Sequence, residues 1–347
     1  MNMTSRERVT RALRFEEFDK VPMEVDRSVI GFASDVAYPE FRYGSRRSPT
    51  VAIKKGSYID CWGCIWECGE DGVKGEVKSP QFDDWTSFET YIPPFDVLKE
   101  ADLSTVNKQC AESDKFMMHM WGIEPFQRMQ FLRGTENVFM DLAYGDAKIF
   151  KLRDIVHAYY MKEVELWANT DVDGIHIEDD WGSQLALLIS PKMWREYFKP
   201  IYKDYCDLAH SRGKFVVMHS DGQIFDIIPD MIEIGVDAVN AQLDCMDIEK
   251  IALQYCGKIA LWGGFDRQYL LPFGTTEEVR KEVLRIAATF FKNGRTGIID
   301  RNLLLPASPL SGYQMTNSRI FLVFNGYSRT ENKKSEVHQR NKLEKPL

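Results

Sequence analysis

Four places in the chain put chemically capable side chains directly after an apolar run. They are Glu178-Asp179-Asp180, His219-Ser220-Asp221, Asn240 with Gln242, and Trp262 followed by Gly263-Gly264 and Asp266. Alternate residues of an extended chain share a side, so Glu178 and Asp180 face one way, as do His219 and Asp221. Two nearby carboxylates repel each other, and one of them can keep its proton and act as an acid near neutral pH. Imidazole and carboxylates are also zinc ligands: His219, Asp221 and Glu178 could hold one ion and leave a position open for substrate. The expected catalytic residues are therefore Glu178, Asp180 and His219. Asn240, Gln242, Trp262 and Asp266 are expected to bind substrate. The plainer alternatives are solvated loop carboxylates and a core histidine bonded to a backbone carbonyl. His119 and His176 sit in apolar runs and read as packing, and His157 and His210 fall on helices. Cys61, Cys64 and Cys68 lack a second Cys/His pair at zinc-finger spacing and read as structural.

These residues need strands to carry them. Phe215-Val-Val-Met218 is a short continuous apolar run, the pattern of a strand covered on both faces. Gly174–Asp180, Ala238–Val239 and Lys258–Trp262 also read as strands, and Phe116–Trp121 is a further strand candidate. Helices alternate with them. One covers 154–170. Another starts at Ser190 as N-cap with Pro191 in its first turn, and Pro200 should kink it. Helices over 225–234, 247–255 and 275–290 follow, the last opened by a Thr275…Glu278 capping box. Strand–helix alternation every 25 to 40 residues or so is the pattern of parallel βαβ units, and four or five of them favour an α/β fold of the (β/α)8 barrel type. No Gly-x-Gly-x-x-Gly follows an early strand, which lowers the doubly wound alternative. In a (β/α)8 barrel the chemistry sits at the C-terminal ends of the strands, where the four polar clusters fall. Earlier in the chain, Thr4–Arg14 reads as a capped helix and Asp19–Asp26 as a short strand. Residues 27–115 read as an insertion or cap, with a hairpin between Tyr58 and Lys78.

The composition is that of a globular protein: 347 residues, 44% hydrophobic and 28% charged. A net charge of -8 argues against nucleic acid as a partner. Seven cysteines in a chain of this size do not form a disulfide framework. No apolar run approaches the ~18 residues of a membrane span, and the N-terminus has no signal-peptide core, so a cytoplasmic location is expected.

Several motifs together resemble a known family. They are Thr4-Ser-Arg-Glu-Arg-Val9, Asp19-Lys-Val-Pro22, Asp173-Gly174 with Glu178-Asp179, and Ser190-Pro-x-Met-Trp-x-Glu-x-Phe-Lys-Pro200. To these add Met218-His-Ser-Asp-Gly222, Ile232-Glu-Ile-Gly-Val-Asp237 and Trp262-Gly-Gly264 with Asp266. The combination resembles the uroporphyrinogen decarboxylase superfamily, and more narrowly its methyltransferase branch, over residues 3 to 295 or so. The resemblance implies a (β/α)8 barrel, zinc, and a partner protein carrying a corrinoid that accepts a methyl group. Two departures shape the expectation. After Val21-Pro22 the chain reads Met23-Glu-Val-Asp-Arg-Ser28, not the Arg-Gln-Ala-Gly-Arg-Tyr that holds porphyrinogen carboxylates. The branch binds zinc through His-x-Cys and a later Cys, whereas here Asp221 follows His219 and no Cys follows Cys256. The expected reaction is therefore methyl transfer from a small methoxylated or methylated substrate to a corrinoid protein, rather than thiol methylation. A tetrapyrrole decarboxylase and a catalytically inactive barrel serving as a binding subunit are the alternatives. The barrel is expected over 1–300. Residues 301–347 depart from the family and read as an atypical, poorly ordered tail, from a frameshifted or rebuilt end, leaving the last strand–helix unit incomplete or altered.

Overall fold

A computed structural model describes residues 3–24, 33–43, 51–68, 75–119, 122–263, 266, 268–291 and 298–299. The expected tail at 301–347 lies outside the described residues. The chain divides into two compact units: Tyr38–Ser113 with Met117–Val236, and Met1–Ala37, Asp114–Phe116 and Asp237–Leu347.

The first of these holds the strands Gly174–Glu178 and Phe215–Ser220, paired in parallel with Gly174 opposite Phe215 and Glu178 opposite His219. Ile175, Ile177, Val216 and Met218 are fully buried, and their neighbours His176 and Val217 are nearly so. Burial of both faces is what a parallel pair covered by crossover helices requires. On the other side of Gly174–Glu178 runs the segment around Met118 and Ile123, bridged to Gly174 and Ile177. The crossover between the paired strands is made of two helices, Pro191–Tyr197 and Lys199–Ser211. Ser190 Oγ accepts from the Met193 N–H at 3.2 Å and starts the first. The expected kink is a full break at Phe198, because Pro200 has no N–H to continue the first helix and sits in the opening turn of the second.

The long helix of this unit spans Ala147–Ala168 and buries Val156, Tyr159, Tyr160, Val164 and Trp167. It begins earlier than its apolar stripe indicates because Asp146 caps it, accepting from the Lys148 N–H at 2.8 Å. Strands Val51–Lys54, Ser57–Ile59, Ile65–Glu67 and Glu76–Ser79 make a four-stranded antiparallel meander, which contains the expected hairpin. Asp60 ties the meander to the helix Pro125–Arg133. Its carboxylate accepts from the Trp62 and Cys64 N–H groups, the Trp66 indole and the Arg128 guanidinium, all at 2.9 to 3.0 Å.

The second unit holds Ala238–Ala241, Ala260–Trp262 and Ile298–Ile299, also in parallel, with Ala238 opposite Ala260 and Leu261 opposite Ile298. Asp247 caps the helix Ile248–Tyr255, and the Thr275…Glu278 capping box opens Thr276–Phe291. Near the N-terminus Arg8, buried on the helix Ser5–Leu13, pairs with Asp19 and Asp35. The strand expected over 19–26 is reduced to a single bridge at Met23, held by Asp35; residues 25 and 26 lie outside the described residues. No helix among the described residues is long and apolar enough to cross a membrane.

Candidate active site

The site is built where the paired strands Gly174–Glu178 and Phe215–Ser220 end. His219 points its Nε2 at two carboxylates, Asp180 Oδ1 at 3.4 Å and Asp221 Oδ1 at 3.6 Å. The three ligand atoms lie within 4.8 Å of one another. The imidazole is mostly covered, at 17% exposure, and the two carboxylates are about a third exposed, at 36% and 38%.

The backbone brings these side chains together. Past the strand pairing the two chains remain laced: the Asp179 N–H donates to the His219 carbonyl, the Trp181 N–H to Ser220 Oγ, the Gly182 N–H to the Asp221 carbonyl, and the Gln223 N–H to the Ser183 carbonyl. The Asp221 N–H also donates to Asp180 Oδ1 at 2.9 Å. This close crossing needs glycine on both sides. A Cβ on Gly182 would stand 2.5 Å from the Gln223 nitrogen, and one on Gly222 would run into the Gly182 carbonyl. Gly222 also has φ +79°, a conformation that side-chain-bearing residues rarely adopt.

Asp179 faces away from Asp180, as strand alternation requires, and is fully buried. It accepts from the Phe126 and Gln127 N–H groups at 2.9 and 2.7 Å and from the Tyr202 hydroxyl at 2.6 Å. Burial pushes its carboxyl well above the usual carboxylate range, against the pull of those three donors. From the same helix turn, Gln127 Nε2 donates to Asp180 Oδ2 at 2.6 Å. Gln127 and Tyr202 are not among the residues expected in the site, and Asp179, part of the Glu178-Asp179-Asp180 run, carries no role of its own among the expectations.

Of the residues picked out from sequence, Asp180, His219 and Asp221 come together. Glu178, expected as the third ligand, is not in the group. It lies opposite His219 in the strand register, but its carboxylate leans toward His176 Nδ1, 3.9 Å away. Asn240, Gln242, Trp262 and Asp266 belong to the other unit. There the Asn240 amide donates to the Trp262 carbonyl, and the buried Trp262 indole donates to Glu24. Gln242 accepts from Cys245, and Asp266 accepts from the Gln268 and Tyr269 N–H groups. His119 is fully buried, with Nε2 3.8 Å from Glu163, and Cys64 donates to the Phe131 carbonyl.

The donor set suits a divalent cation. A separation of 3.4 to 3.6 Å is long for a hydrogen bond, and ligands about 2.1 Å from a tetrahedral ion stand about 3.4 Å apart. One nitrogen and two oxygens would leave room for a further ligand. Without an ion, a protonated His219 between two carboxylates is a proton donor.

Residues 123–299, just over half of the chain, match the family described as uroporphyrinogen decarboxylase (URO-D). The chain belongs to that family. The match takes in all three residues of the Asp180–His219–Asp221 group. A methyltransferase from Methanosarcina mazei, 15% identical, aligns over 94% of this chain and 99% of its own with a TM-score of 0.67. That likeness shows the fold, the (β/α)8 barrel class. Lower similarity is found to a D-psicose 3-epimerase, at 10% identity over 68% of this chain and 82% of that one with a TM-score of 0.37. An IolI protein with a bound zinc atom follows, at 10% identity over 65% and 90% of the two chains with a TM-score of 0.35. No curated protein matches the chain in sequence.

Proposed function

We propose that this member of the uroporphyrinogen decarboxylase family is a methyltransferase, moving a methyl group from a small methoxylated or methylated substrate to a corrinoid carried by a partner protein in the cytoplasm. The observation that supports it most is the His219 imidazole set between Asp180 and Asp221 at adjoining strand ends, in a chain with the fold of a methyltransferase. Methyl transfer breaks a carbon–oxygen or carbon–nitrogen bond and leaves the electron pair on the heteroatom. That atom needs a proton or a cation as it leaves. Asp180, His219 and Asp221 are the residues that would hold zinc. When bound there, zinc supplies Lewis acidity to the leaving atom.

The other groups have roles that follow from their chemistry. Glu178, 45% exposed beside His219, is the proton carrier for the leaving atom. Without an ion, Asp180 orients the imidazole and would stabilise its protonated form. Asn240, Gln242, Trp262 and Asp266 are the proposed substrate contacts. A donor set of nitrogen and oxygen, with Asp221 where the methyltransferase branch carries a thiolate, favours an oxygen- or nitrogen-bound methyl over thiol methylation. Purified protein, assayed with methoxylated aromatics and methylamines against cob(I)alamin, should form methylcobalamin with at least one of them. Decarboxylation of a tetrapyrrole, with no methylcobalamin from any donor, would replace this reading by its alternative.

A further inference from the structure

Asp180 is restrained at both oxygens. Oδ1 accepts the Asp221 N–H at 2.9 Å, and Oδ2 accepts the Gln127 amide at 2.6 Å. The carboxylate therefore cannot rotate about its own axis without breaking one of two hydrogen bonds. The oxygen left facing His219 is Oδ1. Gln127 is itself fixed. It lies in the first turn of the helix Pro125–Arg133, and Asp179 clamps that turn by taking the Phe126 and Gln127 N–H groups. Asp179 is held in turn by the Tyr202 hydroxyl at 2.6 Å, and that hydroxyl accepts the Trp181 indole N–H at 3.1 Å. Phe126 stacks on Trp181 with ring centroids 4.0 Å apart. Consecutive carboxylates thus divide the work: Asp179 anchors a helix turn, and a side chain from that turn reaches back to Asp180.

We infer that Gln127 is a positioning residue that makes Asp180 a ligand through one oxygen only. The Gln127 amide N–H occupies Oδ2 and so withdraws that oxygen from any ion held beside His219. Removing Gln127 removes the hydrogen bond that holds Oδ2 back, so Oδ2 can turn in beside Oδ1 and the site gains a coordination position at the expense of its order. This inference rests on the metal-binding reading of Asp180, His219 and Asp221.

The test is cobalt(II) binding by the full chain, read by chelator competition and by the visible absorption of the bound ion, for wild type, Q127A, Q127E and D180N. The expected result is a 10- to 100-fold loss of affinity in Q127A, the usual effect of removing a group that orients a metal ligand. A weaker, shifted absorption band should accompany it, marking a higher coordination number. Q127E, nearly the same shape but carrying a carboxylate against Asp180, should lose at least as much. Its matched volume separates a positioning role from disturbed packing. Y202F, which removes only the hydroxyl behind Asp179, should give a smaller loss in the same direction. Equal affinity and equal spectra for wild type, Q127A and Q127E, with D180N impaired, would overturn the positioning role and leave the metal site standing. Cobalt binding that D180N does not alter would overturn the metal site and this role together.

Discussion

Gly222→Ala is the sharpest structural perturbation of the site, because its effect can be divided in two. The first part is conformational. At φ +79° an alanine sits in the left-handed region, which costs about 1 kcal/mol for a residue with a Cβ. Gly213 has φ +70° in the same unit, and a Cβ there would meet nothing within 4 Å, so G213A carries that cost alone. The second part is overlap. At Gly222 the new carbon meets the Gly182 carbonyl and lies 2.6 Å from the Ser183 oxygen. These are backbone atoms of a laced loop pair and cannot swing aside as a flexible side chain would. Overpacking of this kind costs roughly 1–3 kcal/mol. G222A should therefore lose about 2–4 kcal/mol and G213A about 1 kcal/mol, measured as shifts of the urea midpoint at unchanged slope. The strain falls between Asp221 and Gly182, so G222A should also weaken cobalt binding about 10-fold or more, while G213A leaves it unchanged. Equal destabilisation by the two variants, with cobalt binding intact in both, would refute the close-crossing explanation of how Asp180 and Asp221 are brought together.

Three further outcomes follow from the same geometry. H219A should lower zinc affinity at least ~100-fold and abolish methyl transfer, checked by metal analysis after dialysis and by methylcobalamin formation. The Asp19 carboxyl is held below its ordinary range, first by the hydrogen bond from Arg8 and then by that residue's charge, against a desolvation cost. A lowered folded-state value gives stability that is present above the unfolded value of about 3.9 and is lost as pH falls through the folded value. The urea midpoint of D19N should accordingly be lower than wild type at pH 6, with the gap narrowing as pH falls below about 3.9; a constant gap would count against this pair. Burial pushes the Cys61 and Cys64 thiols up to about 12, so at pH 8 only about one in ten thousand is thiolate. Iodoacetamide should leave both unlabelled in the native protein and label both in urea, as read by peptide mass spectrometry.

Much of the fold was legible wherever local chemistry decides structure. The strand expected over 174–180 ends at Glu178, and with the apolar run 215–218 it forms the buried parallel pair. Ser190 and Thr275 with Glu278 cap helices where their side chains predict. The site was legible only in part, and the reason is tertiary. Alternation puts Glu178 and Asp180 on one side of the chain but does not say which turns toward His219. That choice is made by Gln127, 53 residues before Asp180, and by the Asp221 N–H. Alternation also sends Asp179 to the opposite face, without revealing that the first turn of a helix waits there for it. The early start of the helix Ala147–Ala168 was missed for a local reason: Lys148, Lys151 and Arg153 dilute its apolar stripe, and Asp146 gives the cap that marks the true start.

The most direct measurement of the central claim is methylcobalamin formation by the purified full chain, with cob(I)alamin as acceptor and a panel of methoxylated aromatics and methylamines as donors, run for wild type beside H219A and D180N. The proposed reaction gives methylcobalamin with at least one donor in the wild type and little or none in either variant. No methylcobalamin from any donor, or formation that both variants support as well as the wild type, would contradict it.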